Sequence, residues 1–157
     1  MPILIQEHSQ LRLHRIVLQG RVMLSELFNM LALHKLHRDW AAADTVHVVE
    51  DDADLSDLSG AALDALRAEY RTLQADLDLF VVRRALWLCR SKRAWELAEY
   101  WVKDRHWRDG QGSELMLVAN LDDAGELFAA DELAAAARND AWVDRARIDH
   151  GAQTAVA

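Results

Sequence analysis

The stretch that decides the fold runs from Val46 to Tyr70 and reads VHVVEDDADLSDLSGAALDALRAEY. It opens inside a β-branched run, Thr45–Val49, which is bounded by acidic residues and is typical of an interior strand in a parallel sheet. An acidic loop, 50–60, follows. Ser59 then has the position of a helix N-cap, because its hydroxyl can accept a hydrogen bond from an unpaired N–H of the first turn. Apolar residues at helical spacing after it predict an amphipathic helix.

Upstream of this stretch, the sequence predicts a hairpin and a helix. Two short apolar runs, Ile3–Glu7 and Leu11–Leu18, are joined by a polar turn, and the second ends at Gly20. That pattern favours an antiparallel hairpin. The outward-facing polar residues of its second strand are then Arg12, His14 and Gln19. Leucine and phenylalanine at helical spacing predict a helix from about residue 24 to about residue 37.

Downstream, predicted strands and helices alternate. The run Leu79–Cys89 predicts a strand, which starts either at Leu79 or at Arg84. Ser91 then caps a predicted helix, Lys92–Arg105, and Glu114–Ala119 is predicted to be the last strand. Asp122 is predicted to cap a further helix.

The alternation of strands and helices predicts an α/β fold with right-handed crossovers. We expect a mixed, mostly parallel sheet of about four or five strands, with the N-terminal antiparallel hairpin at one edge and helices mainly on one face. This domain is predicted to occupy residues 1–130. Residues 131–157 are rich in alanine, the best helix former, and predict a helical C-terminal extension that ends in a frayed tail.

Composition limits the class of protein. The chain has 157 residues, of which 52% are hydrophobic and 28% charged, and these values fit one folded domain with its own core. The net charge of −8 argues against nucleic acid or an anionic membrane as the main partner. Cys89 is the only cysteine, so no intrachain disulfide can form, as suits a reducing compartment. The sequence has no signal-peptide pattern and no apolar run near the ~20 residues of a membrane span, so a soluble cytoplasmic protein is expected.

Two motifs resemble those of a known family. They are Gly20-x-Val22-x-Leu24-x-Glu26-Leu27 and, after the next strand, Asp54-Leu55-Ser56-x-Leu58-Ser59-x-x-Ala62-Leu63. Together they resemble the STAS domains of bacterial proteins, a family named for sulfate transporters and anti-sigma-factor antagonists. The resemblance covers roughly residues 11–128. It implies a four- or five-stranded mixed sheet and a non-enzymatic role in regulation or protein interaction.

The resemblance also implies a site. In anti-sigma-factor antagonists, a partner kinase phosphorylates a serine at the start of the helix after the acidic strand end. The matching candidate phosphoacceptors are Ser59 and Ser56, with Asp54 and Asp57 beside them in the acidic loop. The family pattern has two adjacent serines before a glycine, whereas Leu58 precedes Ser59 here. A phosphate would add nearly two negative charges and repel an acidic partner; the alternative is that Ser59 only caps the helix.

The acidic loop also allows two interpretations. Carboxylates at the carboxyl end of a parallel strand lie where open α/β sheets bind ligands, and they suit Mg²⁺ or Ca²⁺. The run from Glu50 to Asp57 lacks the glycine-punctuated spacing of a calcium loop, so a solvated loop without metal is expected. No nucleophile–base pair and no glycine-rich phosphate loop is visible, so we assign no catalytic residue and no cofactor. A hydrolase or phosphotransferase that uses this loop is a third hypothesis.

A basic group gives an alternative binding site. Arg90, Lys92 and Arg93 surround Ser91 at a predicted helix start, where backbone N–H groups favour anions. With Trp95 nearby, they predict a tryptophan-lined pocket for a small or anionic ligand. Binding of such a ligand is the alternative to the regulatory function.

The remaining reactive and aromatic residues favour structural roles. Cys89 is interpreted as a buried structural thiol. His34 and His37, three apart on a predicted helix, are interpreted as surface histidines. The helix Lys92–Arg105 is apolar around most of its circumference and carries two of the six tryptophans. Because aromatic residues are enriched at interfaces, this helix predicts a homodimer.

Overall fold

The computed structural model describes residues 2–76, 83–102, 114–150 and 152–155. Their strands are β1 (Ile3–His8), β2 (Leu13–Leu18), β3 (Asp44–Val49), β4 (Arg84–Cys89), β5 (Glu114–Val118), β6 (Trp142–Asp149) and β7 (Ala152–Ala155). The α-helices are α1 (Leu24–Leu36), α2 (Arg38–Ala42), α3 (Gly60–Asp76), α4 (Trp95–Val102) and α5 (Ala130–Ala137). Two 3₁₀ helices span Leu121–Ala124 and Asn139–Ala141.

The strands form one mixed sheet in the order β5-β4-β3-β2-β1-β6-β7. Strands β2 to β5 are parallel, whereas β1 is antiparallel to both β2 and β6, and β6 is antiparallel to β7. The predicted α/β class and the N-terminal hairpin are confirmed. The predicted number of four or five strands is wrong, because the sheet has seven. The hairpin also lies inside the sheet rather than at its edge, since β6 and β7 extend beyond β1.

The chain after residue 130 does not form a helical extension with a frayed end. Helix α5 is followed by β6, which pairs with β1 along its length, and by β7. Ala146 and Ile148 of β6 are fully buried in the core and alternate with the charged residues Arg145, Arg147 and Asp149. The period-two pattern of a strand is therefore present, but the alanine-rich run before it suggests helix. Residues that were predicted to form a helical extension therefore form β6 and β7 of the sheet.

The two faces of the sheet have separate apolar cores. On the first face, helices α1 to α4 pack over strand residues such as Ile5, Ile16 and Val49. On the second face, α5 and the 3₁₀ helix Leu121–Ala124 pack over Val48 and Leu88. Among the described residues, no helix has both the length and the apolar content needed to cross a membrane.

Local sequence explains several element ends. Gly20 has φ of 59°, so the turn after β2 uses the left-handed region that glycine adopts at little cost. The predicted N-cap is confirmed, because Ser59 Oγ accepts a hydrogen bond of 3.1 Å from the Ala62 N–H. Helix α4 begins at Trp95 rather than Lys92. The predicted end of that helix and the predicted strand start at residue 79 lie outside the described residues.

The helix predicted after Asp122 is instead the 3₁₀ turn Leu121–Ala124, and its N-cap is Asn120 rather than Asp122. The N-cap of this turn makes no side-chain capping hydrogen bond. Phe128 follows this turn and is buried against the second face.

Candidate functional site

The acidic loop is docked onto the turn after β2. The Asp54 N–H donates to the Gly20 carbonyl at 2.8 Å, and the Val22 N–H donates to the Asp54 carbonyl at 3.0 Å. Asp57 accepts two hydrogen bonds from Arg21, at 2.5 and 3.0 Å. These bonds lower the pKa of the Asp57 carboxyl below its usual range. The negative charge of Asp57 is therefore paired with Arg21 of the same chain.

Both candidate phosphoacceptors are exposed, but they have different local roles. Ser56 donates its N–H to Asp54 Oδ1 at 2.9 Å, and its hydroxyl hydrogen-bonds the same carboxylate, which lowers the pKa of Asp54. Ser59 caps α3. Within the described ranges, no group of three or more His, Cys, Asp or Glu side chains is placed to hold a metal ion.

Residues of the predicted basic group interact with different partners. Arg90 pairs with Glu50 at 3.0 Å. Ser91 is buried, donates to the Ala53 carbonyl at 2.9 Å and accepts from the Ala94 N–H at 3.2 Å, so its hydroxyl is occupied. The positive charge of Arg93 contributes to the lowered pKa of Asp54. Arg90, Ser91 and Lys92 nevertheless line one open cleft.

An open cleft of about 750 Å³ lies at the carboxyl edge of β3, β4 and β5. It contains the tryptophan predicted for a pocket. Its lining is Asp51, Cys89, Arg90, Ser91, Lys92, Trp95, Glu96, Ala119 and Asn120. The Cys89 thiol is buried and burial raises its pKa, so the prediction of a buried thiol is confirmed. Acidic and basic groups share this wide cleft, which gives it no clear preference for ligand charge.

A more enclosed groove of about 360 Å³ lies on the second face of the sheet. Its lining is Leu4, Gln6, Arg15, Val17, Val46, Val48, Glu50, Leu88, Arg90, Leu121, Ala136, Ala137, Asn139 and Trp142. The floor is formed by alternate residues of β1 to β4, of which Gln6 and Arg15 are polar and the others apolar. Polar groups stand at the rim, and Arg90 is the residue that this groove shares with the edge cleft.

A hydrogen-bonded relay fixes Arg15 in this groove. Gln6 lies directly opposite Arg15 in the hairpin and opposite Asp144 in β6. Gln6 Nε2 donates to Asp144 Oδ1 at 2.7 Å, and Gln6 Oε1 accepts from Arg15 Nε at 2.7 Å. A carboxylate only accepts, so the amide orientation follows from the network. The pKa of Asp144 is low because Arg147 and Gln6 both donate to it.

The Arg15 side chain is also held from the side. Its guanidinium lies over the Trp142 ring at 4.6 Å from the centroid, and Nη1 donates to Asn139 Oδ1 at 3.3 Å. Burial lowers the pKa of Arg15, yet a guanidinium stays protonated in proteins. Of its five N–H groups, two are used, which leaves three without a protein acceptor in the described part of the chain.

Sequence reasoning missed this groove. The pairing of Gln6 with Arg15 follows from the hairpin register and was a usable signal, since both are polar residues in otherwise apolar strands. The contributions of Asn139 and Trp142 had no such signal, because β6 was expected to be helix.

The first face holds buried histidines instead of surface ones. His34 is buried with its Nδ1 3.3 Å from the Tyr70 hydroxyl, and burial lowers its pKa to about 3. His14, expected to face outward, is buried against Trp40. His37 is partly buried and stacks on Trp40 at 4.2 Å. The prediction of surface histidines is wrong for His34, because its helix turns that side toward the sheet.

The apolar face of helix α4 packs against the first-face core of the same chain. Ala98 and Trp101 are buried in the first-face core, and Trp95, Leu97 and Val102 pack against that core. Tyr100 is partly exposed and donates to Asp64 Oδ2 at 2.9 Å. The surface that suggested a homodimer is thus largely covered by the same chain, and the homodimer stays a prediction.

Comparison of the chain with protein-family models, with curated proteins and with solved structures finds no match. The resemblance to STAS domains therefore stays a prediction, and the function has to be argued from the geometry of the site.

Proposed function

We propose that this protein is a non-enzymatic binding protein for a small amphipathic anion, held in the second-face groove. The anionic group binds Arg15, and the apolar body lies on the floor formed by residues such as Val17 and Val48. One observation carries the proposal: Arg15 is fixed by Gln6 and Trp142 while three of its N–H groups lack a protein acceptor in the described residues.

Because Arg15 is held in place before a ligand arrives, binding costs less conformational entropy. A free arginine side chain loses rotamer freedom when it binds, but Arg15 is already held by its hydrogen bonds and by ring stacking. Its planar guanidinium matches a carboxylate or similar oxyanion, and a hydrogen bond to a charged group contributes about 1.5–3 kcal/mol. The groove volume of about 360 Å³ falls within the usual range for small-molecule sites.

Charge at the other end of the groove orients the ligand. Glu50 and Arg90 both line the groove and pair with each other. Their charges offset each other, and the hydrogen-bond acceptors of Arg15 are the neutral side chains of Gln6 and Asn139, while Glu50 and Asp144 act on it only through their charge. An anionic group is therefore attracted to the Arg15 end, and a single negative charge suits the site.

Calorimetric titration with octanoate and with 1-octanol tests the proposal. Octanoate is expected to bind more tightly than the neutral alcohol. Arg15→Met keeps most of the side-chain stem and is expected to weaken octanoate binding by about 10-fold or more. Arg93→Met, at an exposed arginine outside the groove, is the matched control and should retain wild-type affinity. Equal affinity of the wild type and Arg15→Met for octanoate would contradict the proposal.

A second proposed function is a phosphorylation-controlled interaction through the acidic loop. The observation that favours it is the exposed Ser56, whose N–H and hydroxyl both bond Asp54. A phosphate on Ser56 would repel Asp54 and Asp57 and would loosen the docking of the loop onto the turn at Gly20.

Intact-mass measurement after incubation with an extract of the source cells tests this second function. We expect one added phosphate on the wild type and on Ser59→Ala, and none on Ser56→Ala. An unchanged mass of the wild-type chain counts against the switch.

A further inference from the structure

A small cavity lies inside the first face, between the sheet and helices α1, α3 and α4. Its volume is about 50 Å³. One water needs about 10–15 Å³ of such volume, so the cavity has room for a molecule of a few atoms. The cavity is on the opposite face of the sheet from the groove proposed above, and it does not depend on that proposal.

Arg83 brings a positive charge to this cavity, and no carboxylate of the described residues is hydrogen-bonded to it. It lines the cavity, and its Nη1 donates to the Ala41 carbonyl at 3.1 Å. Its Nε is buried and has no hydrogen-bond partner. Burial lowers the pKa of Arg83, but a guanidinium does not lose its proton in proteins. The charge therefore remains and requires a partner.

Among the described carboxylates, the one whose charge acts on Arg83 is already paired with another arginine. Asp44 accepts from the Arg84 backbone N–H at 2.7 Å and from Arg84 Nε and Nη2 at 3.0 and 2.9 Å. Asp44 acts on Arg83 only through its field. Within the described residues, no carboxylate is hydrogen-bonded to Arg83.

The other residues that line the cavity also favour an occupant that accepts hydrogen bonds. The Trp87 Nε1–H lines the same cavity, is buried and has no partner. The Thr45 hydroxyl already donates to the Ala43 carbonyl at 3.2 Å. His34 is neutral at ordinary pH, because burial lowers its pKa to about 3. Most other lining residues are apolar, so an occupant that accepts a hydrogen bond from Arg83 meets little competition.

We propose that a small planar monovalent oxyanion, of the size of formate or acetate, binds in this cavity against Arg83. A planar oxyanion matches the planar guanidinium, and the low polarity of the surrounding core strengthens the pairing. The same chemistry is offered by a free carboxylate and by an inorganic planar anion such as nitrate, so both kinds are needed as probes.

Titration of the whole chain with sodium formate, acetate and nitrate tests this inference. Ionic strength is held constant with sodium gluconate, whose anion is too large for the cavity. We expect saturable shifts of the Trp87 indole N–H and the Arg83 Nε–H in ¹H–¹⁵N spectra. We also expect the melting temperature to rise by about 5 °C at 100-fold excess over Kd. Formate and acetate acting without nitrate would identify a carboxylate site, and all three acting would identify a general oxyanion site; both support the proposal.

Arg83→Met removes the charge and is expected to abolish the rise in melting temperature. Arg12→Met, at an exposed arginine, is the matched control and should keep the rise. The same rise in Arg83→Met as in the wild type would overturn the proposal. If Arg83→Met does not fold, the wild-type spectra decide alone: unchanged Trp87 and Arg83 signals with all three anions at about 100 mM overturn it.

Discussion

The guanidinium of Arg15 lies over the indole ring of Trp142, with Cζ 4.6 Å from the ring centroid. The indole Nε1 in turn donates to the Ala136 carbonyl of α5 at 3.1 Å, and its ring meets His8 edge-on at 5.0 Å. Trp142 therefore links β2, β6 and α5 through these contacts. Arg15, near the N-terminus, is therefore positioned in part by residues of the last third of the chain.

Trp142→Leu is expected to weaken octanoate binding although it leaves every charge in place. Without the ring, Arg15 regains rotamer freedom and binds with a larger entropy cost. Because Trp142 is buried, we also expect the free energy of unfolding to fall by about 2–4 kcal/mol. Trp142→Phe keeps a ring under Arg15 and should lose less affinity. Calorimetry on both folded variants provides the measurement, and unchanged affinity in Trp142→Leu argues against a positioning role.

Ile148→Ala is expected to lower the free energy of unfolding by about 2–5 kcal/mol, because it opens a cavity in the first-face core. Ile148 is 0% exposed, whereas Val143 on the same strand is 45% exposed. Val143→Ala removes comparable apolar surface at a solvated position and should change stability by less than about 0.5 kcal/mol. Urea unfolding of both variants gives the comparison. Equal, small effects would mean that β6 is not part of the cooperative core.

The strand, loop and helix between Val46 and Tyr70 were predictable because each has a strong local signal. Thr45–Val49 is β-branched and buried, and Ser59 caps the helix that follows. Strand β6 was not predictable from local signals. Its charged residues face solvent beside buried Ala146 and Ile148, and the preceding alanines favour helix. Its identity depends on pairing with β1, which is a long-range contact.

The same limit applies to the candidate site. The charged residues around Ser91 are adjacent in sequence, but strand and helix geometry sends them in different directions. No role was predicted for Arg15 from the sequence. Its partners Asn139 and Trp142 come from the other end of the chain. Sequence proximity therefore identified residues that line the edge cleft, whereas the groove depends on the order of the strands in the sheet.

Ser59→Ala is expected to lower the free energy of unfolding by about 1 kcal/mol, because the Ala62 N–H loses its capping acceptor. Ser56→Ala is the matched control in the same loop. It keeps the backbone bond from residue 56 to Asp54 Oδ1, so its effect should be smaller. Thermal and urea unfolding of both variants measure the difference. A larger loss for Ser56→Ala would reverse the structural roles given to the two serines.

Acidification below about pH 6.5 is expected to destabilise the fold through His34. Burial lowers the folded-state pKa of His34 from 6.5 to about 3. The unfolded chain then binds a proton that the folded chain excludes, so the contribution is complete above pH 6.5 and is lost as the pH falls toward 3. Between pH 7 and pH 5 this single group accounts for about 2 kcal/mol. The lowered pKa of His14 acts in the same direction.

His34→Gln removes the titrating ring and keeps a polar partner for the Tyr70 hydroxyl. Its free energy of unfolding is expected to fall less than that of the wild type between pH 7 and pH 5, with the remaining slope carried partly by His14. Carboxylates such as Asp144, whose pKa is lowered, lose their contribution only at lower pH, so this window isolates the histidines. Urea unfolding at pH 7, 6 and 5 gives the slopes. Identical slopes in the two proteins would show that His34 accepts a proton in the folded state, and that its burial against Tyr70 is looser than the hydrogen bond of 3.3 Å implies.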